Sequence, residues 1–366
     1  MKPIRRSFRT PRSGDPESRS THRICCWIPG SRAPLAPRND WSRREFLTLL
    51  GGAAAAWPLT AHAQQGTIPL VGFLNGASPD NYARFAKEFR RGLNSMGFIE
   101  GQNVKIEYRW AEGHYERLPE LAADLIRRGV TVIAATSTPA ALAAKTATTT
   151  IPVVFTTASD PVALGLVASL ARPGGNMTGA TQLNMELGPK RFELMHQLLP
   201  NATTVALAIN PTNPRVAAVQ TKDAQNAARA LGLQLQILEA SAEADFDKAV
   251  ASLPKGAGLI IGAGDSFFLN ETTQLAAISV RHGVPAIFHG REFAAAGGLF
   301  SYGGSVADSY LLAGVYTGRI LTGEKPAELP VQRSSKVETY INLKTAKALG
   351  ITVPPGLVIA ADEVFE

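Results

Sequence analysis

From about residue 68 onward, short apolar runs alternate with longer stretches of helical periodicity. The runs are Pro69–Leu74, Val104–Tyr108, Val130–Ala134, Pro152–Phe155, Val205–Ile209, Gln234–Leu238, Gly258–Ile261 and Pro285–Phe288. Most of them are continuous apolar runs rich in Val and Ile, as expected of strands covered on both faces. Between them, Phe85, Phe89, Leu93 and Met96 lie on one face of a helix predicted over Tyr82–Met96. Leu118, Leu121, Ala122 and Leu125 do the same over Leu118–Ile126. Val216–Leu231 is Ala-rich and amphipathic with Gly232 behind it, and Leu275–Val280 ends near Gly283. Strands alternating with helices predict an α/β chain of parallel sheets flanked by helices. The alternation falls into two blocks, from Ile68 to about Thr181 and after Gly188-Pro189-Lys190, with a helix over Arg191–Leu199 able to connect them. A chain of this length exceeds one typical core, so two lobes are expected.

Ahead of residue 68 the pattern changes. Residues 1–40 are rich in Arg, Pro and Ser, lack apolar periodicity and read as disordered. A long leading region and a start codon assigned too early both fit them. Ser42-Arg43-Arg44-Glu45-Phe46-Leu47 then opens an apolar run that closes on Ala61-His62-Ala63. A charged start, a short apolar stretch and an A-x-A site make a secretory signal peptide over residues 1–63, cleaved near Ala63. Arg43 and Arg44 match the paired arginines of the twin-arginine export signal, which is read by a receptor. The run is shorter than the roughly 20 residues of a membrane span, and Gly51, Gly52 and Pro58 weaken it further, so export is expected over anchoring.

The signal changes how the charge is read. The chain carries 37 Lys+Arg and 30 Asp+Glu, a net charge of +7. Residues 1–63 hold 11 of the basic and 4 of the acidic residues, so the excess belongs to them and the remainder is neutral at 26 against 26. The basic balance therefore gives no argument for a nucleic-acid or membrane partner. Cys25 and Cys26 also precede the cleavage site, which leaves the exported part without thiol chemistry or disulfides.

Chemistry is expected where strands end. Six of them run into small polar loops: Asn75–Pro79, Thr136–Pro139, Thr156–Pro161, Asn210–Pro214, Gly262–Ser266 and His289–Arg291. In open α/β sheets ligands bind in the crevice at the carboxyl ends of strands, where helix N-termini suit a carboxylate. Any one such loop could simply cap a helix. Six of them split between two blocks favour a ligand cleft. Catalytic patterns are missing. His114, His196, His282 and His289 are scattered, there is no G-x-S-x-G elbow or P-loop, and Gly262-x-Gly264 lacks the third glycine of a dinucleotide site. No metal, cofactor or catalytic residue is expected.

These residues resemble the ABC-transporter substrate-binding protein family that includes tryptophan-binding transporter components. The matching segments include Pro69-Leu70-Val71-Gly72-Phe73-Leu74, Gly101-Gln102-Asn103-Val104, Glu107-Tyr108-Arg109-Trp110-Ala111 and Leu118-Pro119-Glu120-Leu121-Ala122. Further on they include Ile151-Pro152-Val153-Val154-Phe155, Asp160-Pro161-Val162, Ala171-Arg172-Pro173-Gly174-Gly175-Asn176 and Gly323-Glu324-Lys325-Pro326-Ala327. The resemblance spans residues 68–366. It implies a two-lobed periplasmic-binding-protein-like fold of type I with three crossovers, lobe one being 68–183 plus 303–330 and lobe two 184–302 plus 331–366. It also implies a periplasmic, monomeric solute receptor that captures a small, amino-acid-like molecule and delivers it to an ABC permease in the inner membrane. A ligand-sensing partner of a membrane receptor shares the fold, and an exported α/β enzyme is the remaining alternative. Carried over to this chain, the resemblance puts Ser78, Ser137, Thr138 and Asp160 on the first-lobe side of the cleft. It puts Asn210, Asp265, His289 and Tyr302 on the second-lobe or hinge side. The chain departs from the tryptophan-binding relatives at Gly264-Asp265-Ser266-Phe267-Phe268, where they carry an Asp-Asn pair.

Overall fold

The structure, a computed structural model, describes residues 68–182, 184–334 and 336–366. Arg43, Arg44 and the expected cleavage site near Ala63 lie outside the described residues. The first half builds β1 (Leu70–Asn75), α1 (Pro79–Ser95), β2 (Lys105–Trp110), α2 (Leu118–Arg127), β3 (Val132–Ala135), α3 (Thr138–Ala147), β4 (Val153–Thr157) and β5 (Met177–Thr181). Next come α4 (Gly188–Leu198), β6 (Thr204–Ile209), α5 (Pro214–Ala230), β7 (Gln234–Glu239), α6 (Glu243–Ala251), β8 (Gly258–Ile261), α7 (Ser266–Asn270) and α8 (Thr272–Arg281). The chain closes with β9 (Ala286–Phe288), α9 (Arg291–Ala295), β10 (Phe300–Gly304), α10 (Val306–Leu321), β11 (Gln332–Arg333), β12 (Val337–Asn342), α11 (Leu343–Ala348), α12 (Pro355–Ile359) and β13 (Glu363–Phe365).

Two sheets result. The first has the order β11-β5-β4-β3-β1-β2 and is parallel throughout. The second has the order β13-β12-β10-β9-β8-β6-β7. It departs from a parallel sheet at one ladder, where β12 runs antiparallel to β10. Fully buried strand residues such as Val71, Phe73, Ile133 and Phe155 explain the continuous apolar runs. α1 and α10 cover one face of the first sheet through Phe85, Phe89, Leu93 and Tyr310. α2 and α3 cover the other through Leu118, Leu125, Ala140 and Ala144. No helix among the described residues is long and apolar enough to cross a membrane.

Strand pairing fixes where the chain changes sheets. It leaves the first after Thr181, returns after Gly304 and leaves again after Arg333. Gly303 and Gly304 still pair with Glu338 and Val337, and Gln332 and Arg333 still pair with β5. Helix starts follow local chemistry. Ser137, Asp265 and Ser305 are N-caps whose side chains accept from Ala140, Phe267 and Asp308 N–H groups, and Pro79 and Pro139 sit in first turns.

Candidate functional site

The carboxyl ends of the two sheets face each other across a cavity of about 30 Å³. On the first-lobe side, the β3–α3 corner supplies Thr136, Ser137 and Thr138, and β4 supplies Thr156 and Thr157. Asp265, Ser266 and His289 face them from the ends of β8 and β9. Tyr82 and Tyr310 close one end.

The first-lobe wall is pre-ordered. Asn75, fully buried, donates to the Thr136 carbonyl at 3.0 Å and lies 2.7 Å from the Tyr310 hydroxyl, which donates to the same carbonyl. Ser137 Oγ accepts from Gly76 N–H at 3.1 Å and from Ala140 N–H at 3.3 Å, so it caps α3 and ties down the β1 loop together. Thr138 and Thr157 share a hydroxyl–hydroxyl bond of 2.8 Å. What this wall offers a ligand is therefore the start of a ten-residue helix framed by hydroxyls.

The second-lobe wall is built around a charge. Asp265 is 1% exposed. Its Oδ1 accepts from Asn210 Nδ2 at 3.0 Å and from Phe267 N–H at 3.0 Å, and its Oδ2 accepts from Asn213 Nδ2 at 3.0 Å. Burial pushes its pKa up, and these hydrogen bonds, with one from Tyr115, oppose the rise by favouring the carboxylate. Asp265 caps α7 and lines the cavity at once. The Asn210 and Asn213 amides and the Tyr115 hydroxyl enclose it.

His289 is 4% exposed, and its Nδ1 has no hydrogen-bond partner. Burial holds its pKa well below the usual histidine value, and the charge of nearby Arg191 lowers it further. The sign follows. The unfolded chain takes up a proton as pH falls through about 6.5 and the native imidazole does not, so stability present above that pH is lost below it. As pH falls below that value the chain is expected to lose more stability than a His289→Gln variant, each measured against its own value at neutral pH. Parallel stability–pH curves from urea melts would contradict this.

Among the described residues Arg191 is one of the largest fully buried side chains. Its guanidinium donates to the Tyr302 carbonyl at 2.8 Å and to the Asn184 carbonyl at 2.7 Å. Desolvation lowers its pKa to about 9, so it remains a cation at neutral pH. Asn184 in turn accepts from Gly304 N–H at 2.7 Å. One arginine thus knots the first crossover to the second, directly behind His289.

The lobes also touch beside the cavity. The Tyr115 hydroxyl, from the turn Tyr115–Arg117 of lobe one, accepts from Ser266 N–H at 2.9 Å and Phe267 N–H at 3.3 Å of lobe two. Arg84 on α1 pairs with Glu292 on α9, an exposed bridge of small value. Ala158 and Met185 pack on Val216 and Ala263.

Of the sequence-derived candidates, Ser137, Thr138, Asp265 and His289 line the cavity. Asn210 stands one step behind, as an Asp265 partner. Ser78 sits at the head of α1, its N–H 3.5 Å from Asn270 Oδ1. Asp160 turns back to accept from Val162 N–H at 2.8 Å, and Tyr302 contributes its carbonyl to Arg191 while its ring packs on the second-lobe core. Neither lines the cavity. Sequence reading missed Tyr115, Asn213, Tyr310 and Arg191. Tyr115 follows a Gly-containing loop and Arg191 lies in a helix whose buried face reads from Phe192 and Met195, so no local signal marks either.

Comparison with known proteins places this geometry. A tyrosine-binding protein of Clostridioides difficile (strain R20291) is 26% identical over 264 residues, covering 72% of this chain and 75% of that protein. A conserved domain protein from Vibrio cholerae O1 superposes with a TM-score of 0.74 at 25% identity, over 81% of this chain and 99% of the other. A Streptococcus pneumoniae ABC domain solved in complex with L-Trp superposes with a TM-score of 0.73 at 24% identity, over the same shares. The architecture is the two-lobed type I periplasmic-binding-protein fold. The family model described as ABC transporter substrate binding protein matches residues 71–365, and the chain belongs to that family.

Proposed function

We propose that this protein is an exported receptor for an amino-acid-like solute, which it hands to an ABC permease of the inner membrane. The observation that carries the reading is the buried Asp265 carboxylate facing the start of α3 across one small cavity. A ligand carboxylate suits the Ser137–Thr138 end of that helix, and an ammonium suits Asp265. The names of the relatives, one tyrosine-binding and one bound to L-Trp, support this class. A cavity of about 30 Å³ holds little more than a water, so an amino acid enters only when the lobes part and is enclosed when they close. Export through the Arg43–Arg44 signal, cleavage near Ala63 and a monomeric state belong to the same proposal.

The test is a thermal-shift screen of amino acids on protein beginning near Gln64, followed by calorimetry. A ligand present at about 100 times its Kd should add roughly 2.7 kcal/mol of stability. No shift with any amino acid, alongside a shift with a solute lacking an amino group, would sink the ligand class. The closed form is expected to depend on Tyr115. Tyr115→Phe removes the acceptor that Ser266 N–H meets across the lobes, so affinity for that ligand should fall about five- to tenfold. Calorimetry giving the same Kd for both proteins would show that this contact does not bias closure.

A further inference from the structure

Beyond the polar cavity lies a second, larger space. It is a groove of about 710 Å³, within the range of small-molecule sites. Its floor is the outer face of α2 and α3, where Ile126, Leu142 and Ala143 present apolar surface above the buried Leu118. Its far rim is the start of α5 in the other lobe, with Arg215. Arg127 stands on the near rim. The lining contains these two arginines and no acidic residue. Arg215 makes no ion pair among the described residues. Arg127 belongs to a cluster in which three arginines, Arg109, Arg127 and Arg128, share two carboxylates, Asp124 and Glu107, which leaves one positive charge in excess. An apolar trough with uncompensated positive charge at its edges selects an apolar acid over an amine or a polyol.

We propose that this groove is a second binding site, for a monocarboxylate with an apolar body such as a medium-chain fatty acid, and that its occupant bridges the lobes. The apolar tail lies along α2 and α3 while the carboxylate pairs with Arg215. The Tyr115 ring lines the groove as its hydroxyl holds α7, and Asn213 lines it while donating to Asp265. An occupant therefore contacts Tyr115, which joins the lobes beside the cleft, and Asn213, which holds Asp265 within the second lobe. It favours the closed form by contacting both lobes, and so it is coupled to the cleft ligand without competing for its place.

Octanoate is the probe, and octanamide the uncharged control. Calorimetry should show saturable octanoate binding at millimolar or lower concentration, with octanamide about tenfold weaker. Arg215→Glu should weaken octanoate about tenfold or more. Ala143→Phe, which fills the trough, should weaken both probes alike. Small-angle scattering should show a smaller radius of gyration with octanoate than without. Equal binding of octanoate and octanamide would overturn the acid assignment. Unchanged octanoate binding in both variants, or no binding at all, would overturn the site. Neither result bears on the cleft, because the amino-acid screen does not involve Arg215 or Ala143.

Discussion

Gly314→Val is expected to cost about 4 kcal/mol of stability, a large share of what a domain of this kind has to lose. Gly314 sits where α10 crosses α1 at backbone contact. A Cβ there would fall 2.0 Å from the Phe89 carbonyl oxygen and 2.7 Å from the Leu93 nitrogen. The partner position is as tight, since a Cβ on Gly92 would lie 2.0 Å from the Leu311 carbonyl oxygen. The obstructing atoms are backbone, not the ends of flexible side chains, so relief requires the helices to separate. Phe89 and Tyr310, both buried beside the crossing, hold them to the first sheet. Separation would therefore open the core rather than bend a surface. Urea melts of the wild type and the variant measure the loss, and a midpoint unchanged within error would show that the helices can part freely. Gly92→Ala combined with Gly314→Ala should cost less than the sum of the two, because either one already forces the helices apart.

Asp265→Ala is expected to lower both stability and affinity, by about 3 kcal/mol and by about a hundredfold respectively. The stability loss arises because the Asn210 and Asn213 amides lose their buried acceptor, as does the first turn of α7. The affinity loss arises because the same carboxylate faces the cavity. Asp265→Asn keeps the volume and separates the two. It should recover part of the stability and little of the affinity for a cationic ligand. Affinity retained in Asp265→Asn, measured by calorimetry on the ligand from the amino-acid screen, would remove Asp265 from the site. The pH dependence has its own sign. Burial raises this carboxylate's pKa, so the native state holds the proton more tightly than the unfolded chain. Its contribution is full below the ordinary carboxylate range and is lost as pH rises through the raised value, and Asp265→Asn should flatten that part of the stability–pH curve.

Much of the fold was written in local pattern. Continuous apolar runs named the inner strands because a strand buried on both faces leaves no polar position, and the edge strands β2 and β7 showed instead as apolar residues alternating with polar ones. Helix starts were legible at Ser137 and Asp265 because capping is a contact made within a few residues. The crossovers were not legible that way. β10 and β12 carry Gly303, Gly304 and Glu338, which dilute the apolar run, and β11 is two residues long. Such strands exist because a neighbour supplies their hydrogen bonds, and that neighbour lies far off in sequence.

The site divides along the same line. Asp160 and Asp265 look alike in sequence, each closing a polar loop after a strand at the head of the next segment. By itself the chain determined that both would satisfy a nearby backbone N–H, as both do, at Val162 and at Phe267. Only the tertiary structure decided that Asp265 is buried between two asparagine side chains and faces the other lobe while Asp160 does not line the cavity. Tyr115 and Arg191 make the same point more strongly. Their partners are Ser266, Phe267 and Tyr302, more than a hundred residues away. No local spacing can announce a contact whose two halves meet only after both lobes have folded.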